Sequence, residues 1–164
     1  MPFNFTVMSK SAFLANRLRE LFVDGDWVAN TNYKRIISDI TKEEACKQIG
    51  SLNTIALLCF HVNYYVEGLL QVFKGGDLTI RDKYSFDMPA ISTEKEWEDL
   101  REGFLRNATA FSDAVAAMSE EQIDGPFVVE KYGTYWRNIE GMIEHAYYHM
   151  GQLSLLKKLI REGI

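Results

Sequence analysis

Seven apolar residues, Trp97, Leu100, Phe104, Ala108, Phe111, Val115 and Met118, recur at intervals of three and four. That spacing lines them along one face of an α-helix and scatters them over both faces of a strand. A capping box opens the segment: the Thr93 hydroxyl and the Glu96 carboxylate can satisfy each other's free backbone donors. An amphipathic helix of this length must bury its stripe against other elements. The remaining chain supplies helices to do so.

Ser9 to Val23 carries Leu14, Leu18 and Leu21 at helical spacing, with Arg17, Arg19 and Glu20 on the polar side. Asp24-Gly25-Asp26 marks a turn, and Trp27 follows as an expected apolar anchor. Asn32 to Ile40 fits a short additional helix. A capping box at Thr41-Lys42-Glu43-Glu44 predicts a second long helix running to Phe73, where Lys74-Gly75-Gly76 ends it. Its centre, Ile55 to Tyr65, is apolar almost all round, as in a helix buried on more than one side.

Asp77 to Ile91 has no sustained period and contains Pro89, so it is a long connection. Gly125-Pro126 ends the third helix, and Phe127-Val128-Val129 suits a short strand or an extended loop. The last helix spans about Tyr135 to Arg161, with Met142, His145, His149, Leu153 and Leu156 on one stripe. Four substantial helices without an internal repeat predict one all-α bundle domain over residues 1–164.

A chain of 164 residues can bury a core without disulfides. Its net charge of −5 argues against a nucleic-acid partner, which would call for a basic stripe. No apolar run reaches the ~20 residues of a membrane span. Met1-Pro2-Phe3-Asn4-Phe5 lacks the positive start of a signal peptide. Cys46 and Cys59, on one expected helix, cannot bridge there. These features predict a reduced, cytoplasmic protein with no membrane partner.

The chemistry centres on histidine. His145 and His149 lie four residues apart, one turn along the same helical face. Such a pair can be two core histidines hydrogen-bonded to carbonyls, or half of a metal site. His61, in the apolar centre of helix two, offers a third imidazole from a facing helix. Glu144 flanks the pair, either to orient a histidine and carry a proton or as an exposed surface carboxylate. Tyr148 lies beside it. Gln152, one turn beyond His149, suits packing or amide capping, with substrate contact as the other reading. No phosphate loop, nucleophile elbow or Cys-x-x-Cys motif is present.

The segment His145-Ala-Tyr-Tyr-His149-Met-Gly151-Gln152 resembles the His-x-x-x-His-x-Gly-Gln segment of the DinB/YfiT-like superfamily. Asn53 to His61 is similar to that family's second-helix segment ending in its first ligand histidine. The resemblance implies an up-down-down-up four-helix bundle with a long connection between helices two and three. It implies a divalent metal, nickel or zinc, held by His61, His145 and His149, and a homodimer. Members of known chemistry transfer a low-molecular-weight thiol or isomerise with its help, and others are labelled metal-dependent hydrolases. The expected function is therefore metal-assisted thiol transfer to a small-molecule substrate, with Glu144 or Tyr148 handling protons. Hydrolysis by a metal-activated water, or metal and small-molecule binding without catalysis, are the alternatives.

Overall fold

The structure is a computed structural model that describes residues 8–164. Met1 to Phe5, on which the signal-peptide argument rests, lies outside the described residues. The described residues are helical, and no strand forms among them. The helices are α1 (Lys10–Arg19), α2 (Tyr33–Ile37), α3 (Lys42–Cys46), α4 (Ile55–Phe73), α5 (Glu94–Ala116), α6 (Glu120–Asp124) and α7 (Tyr135–Glu162). A wide π turn over Glu20–Asp24 extends α1.

The stripe from Trp97 to Val115 is buried on α5 as expected, and Met118 is buried just past its end. Thr93 and Glu96 form the capping box at its start. The helix packs on α4 and α1, and α7 is in contact with both of those helices. Between them, Phe22, Tyr33 and Phe104 form a mutual aromatic cluster, with centroids 5.2–5.7 Å apart. The Tyr33 hydroxyl donates to the Ala146 carbonyl at 2.7 Å, tying α2 to α7 one residue past His145.

The second helix does not run unbroken from Thr41 to Phe73. The Thr41 capping box forms, but α3 stops at Cys46. Gly50 then takes φ +52°, a conformation that breaks any helix and suits glycine. The Gln48 amide ties off the turn by donating to the Gly50 and Leu52 carbonyls. Thr54 starts α4 afresh, its hydroxyl accepting from the Leu57 amide at 3.2 Å. The two cysteines therefore sit on different helices, both as free thiols.

Trp27 is not an anchor: it is 88% exposed. An Arg35–Asp26 ion pair and an Asn32 bond to the Gly25 carbonyl hold its turn, and the buried aromatic positions go to Phe22 and Tyr33. The segment after Pro126 makes one isolated bridge, Pro126 to Thr134, and no strand. A short helix, α6, precedes it. α4 is long and apolar enough to cross a membrane by length and composition, contrary to the sequence expectation, but here it is packed between α5 and α7.

The connection from 77 to 91 folds back over α4. Ile80 lies against Gly68, where any Cβ would stand 2.3 Å from its Cγ2. Only glycine lets the connection come this close. A 3-10 turn at Asp82–Tyr84 then sets the next residues over His61.

Candidate metal centre

α4 and α7 are in contact, and this brings His61 beside the His145–His149 pair. One nitrogen from each ring lies within 4.8 Å of the other two. His145 Nε2 is 3.1 Å from His61 Nε2 and 2.9 Å from His149 Nε2. His61 and His149 are each only 6% exposed, while His145 is half-buried and faces a cavity.

The other ring nitrogens fix the tautomers. His61 Nδ1 lies 3.3 Å from the Ser85 carbonyl, which can only accept, so that nitrogen carries the proton. His149 Nδ1 donates in the same way to Gln152 Oε1 at 2.7 Å. Both rings therefore aim an unprotonated Nε2 at His145. A single Nε2–H on His145 could satisfy one of those lone pairs and leave the other without a proton. A cation at the convergence point satisfies all three. Acceptors that orient ligand imidazoles through Nδ1–H are the usual support of a metal site. Three neutral imidazoles suit zinc or nickel better than calcium or magnesium. The donor set fits the expected metal.

Electrostatics agree with this chemistry. Burial lowers the pKa of each of the three rings. For His145 the value falls to about 4, with His149 and His61 adding to the effect of burial. All three are neutral at pH 7, as ligation requires.

The 77–91 connection roofs the site. Phe86 stacks on the His61 ring at 4.0 Å and 12°. Buried Ser85 presents its carbonyl to His61 and donates its hydroxyl to the Asp82 carbonyl. Tyr65, whose ring centroid is 5.1 Å from that of His145, donates its hydroxyl to the Asp82 carboxylate. Burial raises the Tyr65 pKa, so its proton is retained at neutral pH. Neither Ser85, Phe86 nor Asp82 belongs to a periodic stretch, and no sequence signal marked them. Gln152 was visible as the residue one turn past His149, but not as the acceptor that sets its tautomer.

Glu144 and Tyr148 both lie on the exposed side of α7. Glu144 pairs with Arg137 at 3.1 Å. The Tyr148 ring meets the His149 ring edge-on at 4.9 Å. Beyond His145 opens a cavity of about 520 Å³, in the range of small-molecule sites.

All-helical among its described residues, with three histidines from two helices converging beside a cavity, the protein has a side-chain group able to hold a metal ion. A family model described as the DinB superfamily matches residues 29–153, and the chain belongs to that superfamily. The match covers all three histidines and the roof over them. No curated protein and no solved structure matches the chain.

Proposed function

We propose that this protein is a metalloenzyme that activates a low-molecular-weight thiol for transfer to an electrophile. The observation that carries the reading is the convergence of the three histidine Nε2 atoms at the wall of a cavity. His61, His145 and His149 would hold zinc or nickel, which would supply a Lewis acid able to ionise a bound thiol near neutral pH. The chain's own residues do the rest. The Ser85 carbonyl and Gln152 keep two imidazoles turned toward the centre. Phe86 covers His61 and limits water on that side.

Among the described residues, no acidic or thiol side chain joins the three histidines as a fourth ligand. This favours a centre with an open position, the arrangement of catalytic rather than structural sites. Proton handling falls to Glu144 or Tyr148 on α7, joined by the Tyr65 hydroxyl, which holds its proton toward Asp82. We place the site in a single DinB-like domain over residues 1–164, an up-down-down-up four-helix bundle that acts in the cytoplasm as a homodimer. Exposed Trp27 and Val28 offer apolar surface of the kind interfaces use, and light scattering that gives the mass of one chain would refute the dimer.

The test is a panel of electrophiles incubated with metal-loaded and metal-free protein, with and without low-molecular-weight thiols. Turnover that needs both metal and thiol is expected. Metal-dependent turnover in water alone would replace thiol transfer with hydrolysis, and none across a broad panel would leave a binding protein.

A further inference from the structure

The cavity beside His145 has two kinds of wall. Leu69, Leu78, Ile80, Phe127 and Met142 make it apolar. Lys131, in a second 3-10 turn at Glu130–Tyr132, and Arg137, in the first turn of α7, supply donors; Asn138 beside them spends both amide hydrogens on the Tyr132 and Thr134 carbonyls. Asp82 is the one carboxylate on the wall, and it already accepts from Tyr65. In a chain of net charge −5, the cavity reverses the overall sign.

Both cations are available to a ligand. Lys131 makes no ion pair among the described residues, and its ammonium lies over the Tyr132 ring at 4.7 Å. Arg137 pairs with Glu144 through Nη1 alone, and that pair is more than half exposed on both sides. Exposed pairs of this kind are weak and readily exchanged. A guanidinium with free donors is suited to a carboxylate, which it can grip through two bonds. Gly141, between these residues and His145, leaves open space: a Cβ built there meets nothing within 4 Å.

We infer that the cavity binds a small organic acid with an apolar body, its carboxylate held by Lys131 and Arg137. The apolar walls take the body of the ligand, and its other end lies toward His145. That orientation rests on the metal reading above; the preference for a carboxylate does not.

Calorimetry with phenylbutyrate, phenylbutanol and phenylbutylamine tests the inference on the full chain, metal-loaded and metal-free. Phenylbutyrate is expected to bind about tenfold more tightly than the alcohol, with the amine weakest, in both forms. Added salt should narrow the gap. Replacing Lys131→Gln and Arg137→Gln together should bring acid and alcohol within about threefold. Gly141→Leu, which fills the open space and leaves every charge in place, should weaken all three.

Equal binding of the three probes, or binding of none, overturns the inference. So does a preference for the acid that needs metal and survives the double substitution, because the carboxylate would then be a metal ligand. The two readings fail separately. A protein that takes no metal yet prefers the acid loses only the metal centre, and one that takes metal without that preference loses only the organic acid.

Discussion

Gln152 shows how one side chain can decide what a histidine does. Its Oε1 accepts from His149 Nδ1 at 2.7 Å and so commits the lone pair of Nε2 to the shared centre. Without it, the ring can turn or change tautomer. Gln152→Ala should therefore weaken metal affinity about 10–100-fold, the usual cost of losing an outer partner. Metal titration against a competing chelator measures this, and an unchanged affinity would remove Gln152 from the site. The histidines were legible in the sequence because an i, i+4 pair on an apolar stripe is a local pattern. The Ser85 carbonyl was not: its bond to His61 spans 24 residues and leaves no local trace.

At the scale of elements, α5 could be read almost completely from its stripe and capping box. The division of α3 from α4 could not. Ile49 and Leu52 keep a helical spacing, but the backbone already turns extended at Lys47, and Gly50 at positive φ, with Gln48 tying the turn, keeps the helix from resuming before Thr54. The placement of α5 depends on Trp97, fully buried, whose Nε1–H donates to the Ile40 carbonyl at 2.7 Å. Trp97→Phe removes that donor and leaves a void. It should cost about 2–4 kcal/mol in chemical denaturation while metal content stays unchanged. A loss below ~1 kcal/mol would mean that the bond does not hold α5 to the segment after α2.

Across the whole molecule, acid should act through the histidine cluster. Unfolded histidine titrates near ~6.5. In the folded, metal-free protein burial holds all three lower, with His145 at about 4. The folded pKa is the depressed one, so the unfolded chain takes up protons first. Stability is full above about pH 6.5 and is lost as pH falls through the folded values. Asp82 faces His61 and opposes the effect there. Asp39 and Glu44 are held low by Lys157 and Arg161, chiefly through hydrogen bonds. Asp39 is exposed and Glu44 half-buried at the surface, and both act only at more acid pH. Thermal melts of chelated protein should thus fall between about pH 6.5 and 4, and His145→Gln should flatten that drop. A flat profile in the unaltered protein would contradict burial of neutral imidazoles. Because protons and metal compete for the same nitrogens, metal-loaded protein should be the more stable form above this range and lose that advantage within it.

The central claim is that His61, His145 and His149 hold one divalent ion between α4 and α7. Elemental analysis after chelation and reloading with zinc or nickel tests it most directly, on the unaltered chain beside His145→Ala. The account predicts about one ion per chain in the first and a large loss in the second. Equal metal in both would contradict it.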